Sequence, residues 1–478
     1  MPRPLRRLTV VLVGLCLTAG AAGAQRLTLE EAVRRAVEES LPVRSARLQT
    51  RGTEIGLRAS ELERYPNLAF RANGGVQFGL NVDPTTNDAV QQRTGFASGS
   101  VDLGVPIYQG GRLNAAIAQN RAQLAADQAS VEASEQDVAL DVANRYLTSL
   151  LRTEDLRAAR SQRADAEAEL DRTRRLIAAG TLAPAQEVEA ASALSRQASL
   201  VVAAENALAL AELNLRQLLR FGPDEPLNLI DPSQIDFDAV TLPPVQGVEL
   251  YQAAVSRQPG VRAAELAAEA AEAGERVARA GFYPSVNGFA QLDTRYSSRA
   301  VQPVGDVELE VVEQEVFIDG NPVSVGFQQP VFRTENIPVG QQLQDFFGQA
   351  VGLSVNVPIF NNGRTRAAVQ RAELAVEQAR LTTERERLTL EIEVEQALQA
   401  ARAARAEVEA AQRALAAAEN AYAAAQRRAE LGAGSAFDLT NAQLLLEQAR
   451  ATELNARYQF LFNAKVVDFY LGRPLTLD

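Results

Sequence analysis

The sequence predicts an internally duplicated α+β membrane protein in which alternating β-strands lead into very long α-helices. Three observations support this prediction: an N-terminal leader typical of exported proteins, a repeat that covers most of the chain, and two uninterrupted helical segments. The leader places the protein in the cell envelope, the repeat sets the order of the elements, and the length of the helices is unusual for a compact globular domain.

Residues 1–24 have the three parts of a secretory signal peptide. Arg3, Arg6 and Arg7 give a positive start, residues 8–17 form an apolar stretch, and residues 22–24 form a small-residue cleavage site. We therefore expect the mature chain to begin at Gln25. Lipid attachment at a cysteine follows a small residue, whereas Cys16 follows a leucine, so we expect no lipid anchor.

The composition of the mature chain limits its chemistry. The chain has no histidine, and its one cysteine lies in the leader, which removes most nucleophile–base pairs and the usual zinc sites. Removing the three leader arginines changes the formal charge from −12 to −15, and an acidic chain is a poor nucleic-acid binder. We predict a protein that is not an enzyme and has no cofactor, metal or nucleic-acid partner. No apolar run long enough for a membrane helix is evident after the leader, so strands are the predicted means of crossing a membrane.

The repeat is defined by two landmarks that occur twice. The motif Val-Pro-Ile-aromatic followed by Gly-Arg spans residues 105–112 and returns at 357–364, an offset of 252. Tyr65-Pro66 returns as Tyr283-Pro284, an offset of 218, so the second copy carries 34 extra residues between the landmarks. A repeat of this length is a duplicated domain rather than a solenoid unit. The predicted copies are residues 25–230 and 247–478, joined by a linker at 231–246 in an equatorial region.

Each copy contains one very long helix. The predicted long helices, 112–178 and 364–430, are rich in helix-forming residues and contain no glycine or proline. At ~1.5 Å per residue each would extend about 100 Å. Apolar residues recur every seven positions, as expected for a coiled-coil seam; the eight positions are Ile117, Leu124, Val131 and Val138 in the first copy and Val369, Val376, Thr383 and Leu390 in the second.

Shorter helices precede and follow each long helix. The opening helix of the first copy starts at a capping box formed by Thr28 and Glu31 and should bend at Pro42. The predicted return helices are 184–220 and 441–470. An opening helix and a return helix placed end to end match one long helix in length, which suggests a coiled-coil barrel of antiparallel helices.

Four segments have the length and alternation of transmembrane β-strands. The clear ones are residues 96–108 and 350–360, with weaker partners at 67–78 and 285–292. Four strands cannot close a barrel, and open edges are not tolerated in lipid. Two or three copies would supply eight or twelve strands. Only twelve leave a lumen wide enough for solutes, so we favour a trimer.

These doubled motifs resemble the TolC-like outer-membrane efflux family along essentially the whole mature chain. The resemblance implies a homotrimeric channel in the outer membrane, with a twelve-strand β-barrel in contact with lipid and a helical barrel in the periplasm. It also implies a periplasmic adaptor (membrane fusion) protein and an inner-membrane transporter of the RND, ABC or MFS type. The implied function is passive export in a tripartite efflux or type I secretion system.

The resemblance also identifies candidate site residues. At the periplasmic tip, Asp438 matches a position that rings the family's entrance with carboxylates, Asn441 stands where some members have a second acid, and Ala429 and Gly434 replace a latch tyrosine and arginine. Residues near these positions could substitute for the latch; they are Arg427, Arg428 and Glu430. The tip turns are Gly180 with Thr181 and Gly432 with Gly434, and the strand-to-helix junctions are Pro106, Gly111, Arg112, Pro358, Gly363 and Arg364.

Other readings stay open for some features. Asp438 could simply be a carboxylate favoured at a helix N-terminus. The extra segment at 293–349 is acidic and is predicted to be an exterior loop with a short hairpin at 308–317, closed by a turn at 319–321. The alternative function is a structural periplasmic coiled-coil protein without channel activity; an envelope hydrolase that uses paired carboxylates is a remote third.

Overall fold

The computed structural model describes residues 26–82, 89–91, 93–222, 225, 227–318, 320–431, 433, 435–473 and 475–476. The predicted signal peptide, Gly432 and Gly434 lie outside the described residues. The chain divides into two compact units. One unit contains residues up to Gln49, Gln128–Arg262 and Glu384–Asp478, and the other contains Thr50–Asp127 and Ala263–Thr383. Each unit thus combines parts of both sequence copies, so the copies at 25–230 and 247–478 are not the spatial units.

The unit that contains Thr50–Asp127 and Ala263–Thr383 is built on an antiparallel sheet. The strands in chain order are β1 (Asn67–Gln77), β2 (Leu80–Val82), β3 (Ala89–Gln91), β4 (Thr94–Gln109), β5 (Ser285–Ser297), β6 (Val301–Ile318), β7 (Asn321–Asn336) and β8 (Gly348–Asn356). The main sheet has the order β1-β4-β5-β8. Strands β1 and β4 come from the first copy and β5 and β8 from the second, and the two strand pairs meet where β4 lies beside β5. Strands β2 and β3 form one separate two-stranded sheet, and β6 and β7 form another.

Three predicted strand segments differ clearly in extent from the observed ones. The predicted strand at 285–292 continues to Ser297, because β4 extends far enough to pair Phe96 with Ser297. The predicted strand at 350–360 ends at Asn356, because β5 begins at Ser285, directly opposite Asn356, and offers no further backbone to pair with. The predicted short hairpin at 308–317 is part of a much longer one, in which Val301 pairs with Asn336 and Ile318 with Asn321. Local alternation identified these strands, but pairing partners set where they end.

The helices in chain order are α1 (Leu29–Glu39), α2 (Leu41–Leu62), α3 (Arg112–Ala178), α4 (Ala185–Leu219), α5 (Gly247–Val255), α6 (Pro259–Arg279), α7 (Val339–Asp345), α8 (Arg364–Glu430) and α9 (Ala436–Tyr470). The long helices α3 and α8 contain 67 residues each. Helix α9 starts at Ala436 rather than at residue 441, because Ser435 caps it. The opening helix of the first copy breaks at Ser40, just before Pro42, and the capping box of Thr28 and Glu31 is present.

Helix α4 corrects one expectation about membrane segments. Among the described helices it alone is long and apolar enough to cross a membrane by length and composition, so a run of that kind does follow the leader. Its exposed apolar residues include Leu200, Leu210 and Leu213. The same composition suits a helix that packs among other helices, and length and composition do not separate the two cases.

The largest apolar core lies in the unit that contains Gln128–Arg262. Tyr146 on α3 is fully buried in it, and its hydroxyl donates a hydrogen bond of 2.6 Å to the carbonyl oxygen of Leu27. Burial raises the pKa of Tyr146 to about 12. The predicted linker at 231–246 also contributes to this core, since Phe237 packs edge-to-face against Tyr458 at 5.1 Å between ring centroids. This segment is therefore folded onto the helices and contains two short 3₁₀ turns.

The heptad positions of the two long helices differ in burial. In α8 all four positions are buried, namely Val369, Val376, Thr383 and Leu390. Thr383 is the polar exception in this seam, and its hydroxyl donates to the carbonyl of Ala379 at 3.2 Å, which satisfies it inside the helix. In α3 the first and last positions, Ile117 and Val138, are buried, and the two between them are half-buried.

Candidate channel entrance and strand-to-helix junctions

The first helical tip, between α3 and α4, turns at a glycine in the left-handed region. Gly180 has φ +74°, and its N–H donates to the carbonyl of Ile177 at 2.9 Å. The N–H of Thr181 donates to the carbonyl of Leu176 at 3.0 Å, and the Thr181 hydroxyl donates to the same oxygen at 2.8 Å. This pair of backbone bonds is a Schellman motif, which satisfies the last carbonyls of α3 and explains the glycine.

An ion pair joins the two helices of this first tip. The Nε of Arg174 on α3 donates to Oε1 of Glu187 on α4 at 2.9 Å. Glu187 is the third residue of its helix, and the residue that caps this helix, Pro184, makes no side-chain cap bond. The Glu187 carboxylate is therefore available to reach across the tip.

The second tip, between α8 and α9, uses its carboxylate differently. The N–H of Asp438 donates to the Ser435 hydroxyl at 3.1 Å, and the Asp438 carboxylate accepts from the Ser435 N–H at 3.4 Å. This is a capping box, which satisfies two N–H groups at the start of α9. Asp438 therefore has the helix N-terminal role that the sequence offered as an alternative. Its side chain is also exposed to solvent.

The other predicted entrance residues lie near Asp438 in the chain and are exposed. Arg428 donates to the carbonyl of Ala424 at 3.4 Å, and Glu430 accepts from Gln426 at 3.2 Å, both within α8. Arg427 and Asn441 are also exposed. The N–H of Ala433 donates to the carbonyl of Arg428 at 2.9 Å, which closes the last turn of α8.

The two tips correspond residue for residue at the start of their return helices. Pro184 and Ser435 are the capping positions, and Glu187 and Asp438 are both third in their helices. Glu187 is thus the first-copy counterpart of Asp438, which the sequence comparison missed because the offset changes from 252 to 251 between the tip glycine and the cap. Matching the helix starts, rather than the motif glycines, would have found it.

The junction between β4 and α3 depends on two adjacent glycines. Gly110 has φ +62° and Gly111 has φ +83°. A Cβ added at Gly110 would lie 2.7 Å from Cβ of Tyr283 and 2.8 Å from the carbonyl oxygen of Ala280, whereas a Cβ at Gly111 would meet nothing within 4 Å. Arg112 starts the helix and pairs with Glu63 at 3.2 Å. The turn thus lies directly against the segment that leads into β5.

The second junction, before α8, has the same pair of positive φ values. Asn362 and Gly363 have φ values of +53° and +74°, so the glycine pair of the first copy becomes Asn-Gly. Arg364 donates to the carbonyl of Asn361 at 3.3 Å. The junction prolines also differ in setting: Pro106 lies in β4 beside a register shift, while Pro358 lies beyond the end of β8.

The geometry of the described residues offers surfaces rather than an enclosed reaction site. Large apolar side chains are exposed at both tips, among them Val188, Leu431 and Phe437. An open groove of about 550 Å³ runs along α4 from Pro184 to Arg196. In the described part of the chain, no group of three His, Cys, Asp or Glu side chains is placed to hold a metal ion.

Comparison with solved structures identifies the same architecture. CusC, in a study of its folding and transmembrane channel formation, is 19% identical, with 99% of each chain covered and a TM-score of 0.73. The outer membrane protein VceC from Vibrio cholerae is 16% identical, with 93% of this chain and 96% of that chain covered and a TM-score of 0.70. The open state of the Neisseria gonorrhoeae MtrE outer membrane channel is 19% identical, with 95% and 90% covered and a TM-score of 0.70.

Sequence comparison gives the family. A search of curated protein sequences found no significant match. The profile described as outer membrane efflux protein, however, matches residues 32–219 and 250–473, which is most of the chain and includes both copies. The doubled motifs and predicted fold class agree with this match and with the solved channel structures. The chain belongs to the outer membrane efflux protein family.

Proposed function

We propose that three copies of this protein form a passive export duct that crosses the outer membrane and the periplasm. The observation that carries the proposal is the four-stranded sheet, whose outer strands β1 and β8 each have one strand neighbour among the described residues. Four strands are too few for a barrel, and unpaired strand edges are not stable in lipid. Three copies supply twelve strands and close the edges.

The helices supply the length of the duct outside the membrane. Each 67-residue helix extends about 100 Å at ~1.5 Å per residue. With a cleaved signal peptide, the sheet would enter the outer membrane and the helices would extend into the periplasm. The tips of the helices would then form the entrance on the periplasmic side.

The partners follow from the tip surfaces. Exposed side chains such as Leu431 and Phe437 are costly to leave in water, and a protein that covers them would gain from their burial. We assign these surfaces to a periplasmic adaptor protein, which links the duct to an inner-membrane transporter of the RND, ABC or MFS type. The transporter supplies the energy, and this chain carries out no catalysis and needs no cofactor.

The proposal is tested by assembly and conductance measured on the same sample. Purified from outer membranes in detergent, the protein should have the mass of a trimer by light scattering and should form ion-conducting pores in planar bilayers. The alternative, a structural coiled-coil protein of the periplasm, predicts a protein released without detergent and no conductance. A monomer that keeps its β-structure in detergent would contradict the trimer.

Asp438 and its counterpart Glu187 are the proposed carboxylates of the entrance. Three copies would bring three carboxylates of each kind to one axis, where converging negative charge favours cations and holds multivalent ones. Asp438→Asn should weaken both cation preference and block by a trivalent cation, whereas Asp438→Glu, which keeps the charge, should not. Unchanged block in Asp438→Asn would remove this residue from the entrance.

A further inference from the structure

The internal duplication contains information about how one copy of the chain pairs with another. Strand β5 corresponds to β1 at an offset of 218, and β8 corresponds to β4 at an offset of 252. Within one chain, the sheet order β1-β4-β5-β8 places β4 of the first repeat beside β5 of the second repeat. The equivalent contact, β8 with β1, has no counterpart within this sheet.

The equivalence of the two hairpins can be tested on registers that the structure shows. In the first hairpin Asn67 lies opposite Gly104. Adding the two offsets predicts that Ser285 lies opposite Asn356, and this is the observed pair in the second hairpin. The duplication therefore transfers strand register without a shift.

The same transfer gives the register of the missing contact. Within the chain, Gly99 of β4 lies opposite Thr294 of β5. The equivalent pair is Val351 of β8 opposite Val76 of the partner subunit. Likewise the observed pair Asp102 and Gln291 becomes Ser354 opposite Asn73 of the partner subunit.

The side chains on the two strands support this register independently, because they were not used to derive it. On one face the transferred pairs are apolar or small on both sides: Val351 with Val76, Leu353 with Gly74, and Val355 with Ala72, the second residue of each pair being of the partner subunit. On the other face three transferred pairs are polar or glycine on both sides: Gly352 with Gly75, Ser354 with Asn73, and Asn356 with Arg71, the second residue of each pair being of the partner subunit. Ala350, opposite Gln77 of the partner subunit, is the exception among residues 350–356. A shift of one residue would place every apolar side chain of β8 opposite a residue of the wrong face.

The helices next to the sheet give a second, separate observation. On α6 and the 3₁₀ turn that follows it, one face is buried, with Ala270 and Ala273 of the helix and Ala280 of the turn among its residues. A Cβ added at Gly274 would lie 3.1 Å from the Gln119 side chain of α3. The equivalent residues on α2 are exposed and include Ile55 and Leu62, and a Cβ at Gly56 would meet nothing within 4 Å.

A second row of exposed apolar side chains lies on α8. Leu374, Leu381 and Leu388 are exposed at seven-residue spacing, whereas Ala129, the first-copy counterpart of Leu381, is buried. In the chain, α6 contacts both α3 and α8, through Gln119 and through the ion pair of Arg380 with Glu272. The duplication assigns to α2 the same place between its own α3 and the α8 of a second copy.

We infer that the interface between copies repeats the contact inside the chain, with β8 pairing antiparallel to β1 of the partner subunit and Val351 opposite Val76 of the partner subunit. This inference rests on the proposed assembly of identical copies, and it specifies which residues meet. It predicts an interface residue by residue from a single chain.

Cysteine pairs test the register, since the mature chain is expected to contain no cysteine. Directly opposed residues in an antiparallel pair have Cα atoms about 4.5–5.5 Å apart, within disulfide range, whereas diagonal neighbours are about 7–8 Å apart. The first test variant is Val76→Cys with Val351→Cys. Because opposed pairs alternate between two geometries, the second, Asn73→Cys with Ser354→Cys, samples the other class.

Two controls accompany these variants. Gly74→Cys with Val351→Cys is shifted by two residues and should cross-link at least about tenfold more slowly. Gly99→Cys with Thr294→Cys copies the tested contact inside one chain, so it should form a disulfide without producing covalent oligomers. Each variant is oxidised in native outer membranes and run on a non-reducing gel after heating.

The outcomes separate the register from the assembly. A covalent trimer from an in-register pair, with little from the shifted pair, supports the inference. Efficient cross-linking of the shifted pair, or a trimer by mass in which neither in-register pair closes, overturns the register and leaves the trimer standing. A monomer by mass without cross-links overturns both.

Discussion

Gly110 is a residue at which backbone conformation and packing both restrict substitution. It lies in the turn between β4 and α3 with φ +62°, and a Cβ there would lie 2.7 Å from Cβ of Tyr283 and 2.8 Å from the carbonyl oxygen of Ala280. A non-glycine residue in the left-handed region costs about 1–2 kcal/mol, and overpacking costs about 1–3 kcal/mol more. We expect Gly110→Ala to destabilise the protein by about 2–5 kcal/mol in total.

The neighbouring glycine is a matched control. Gly111 has φ +83° but nothing within 4 Å of its Cβ position, so Gly111→Ala should lose only the backbone contribution of about 1–2 kcal/mol. The heat-dissociation midpoint of the oligomer in detergent should therefore fall further for Gly110→Ala than for Gly111→Ala. Equal midpoints for the two variants would refute the packing argument.

A second-site variant identifies the atoms responsible. The close contacts of a residue at 110 are with the Cβ of Tyr283 and a backbone oxygen, not with the tyrosine ring. Adding Tyr283→Ala to Gly110→Ala keeps both of these atoms and should give no rescue. Recovery of the midpoint in the double variant would show that the ring causes the crowding and that the geometry described for this junction is wrong.

Three further predictions concern other parts of the chain. Tyr146→Phe should cost about 1–3 kcal/mol by leaving the half-buried Leu27 carbonyl without its donor. Because the folded pKa of Tyr146 is about 12 against an ordinary value near 10, the wild-type hydroxyl stabilises fully below pH 10 and loses that effect toward pH 12, so the thermal midpoints of the two proteins should converge over that range. Ser435→Ala should remove about 1 kcal/mol of local helix stability and release the Asp438 carboxylate from the capping box. Amide exchange in the first turn of α9 should then be faster, with an unchanged global thermal midpoint, and an unchanged exchange rate would contradict the capping role. Deleting residues 306–328, most of the β6–β7 hairpin, should leave heat-resistant trimers intact and, if the hairpin narrows the outer mouth of the channel, raise single-channel conductance. Loss of assembly would place the segment in the barrel.

Much of the architecture follows from local sequence properties. The long helices begin at Arg112 and Arg364 and extend 67 residues each, because glycine precedes both starts and neither interior contains glycine or proline. The alternating strands and the duplicated motifs likewise follow from period and spacing. These features depend on residues close together in the chain, so the sequence alone was sufficient for them.

The remaining features depend on residues far apart in the chain. Strand β8 ends at Asn356 because β5, its one neighbour among the described residues, begins opposite it. Gly110 is constrained because Tyr283, 173 positions later, lies against it. The use of Glu187 in an ion pair and of Asp438 in a capping box depends on whether the cap is proline or serine and on which side chain the other helix presents. The sequence alone therefore determined the elements, their order and the family. The tertiary structure decided where strands end, which glycine is crowded and what each tip carboxylate contacts, because each of these features depends on neighbours that only folding brings together.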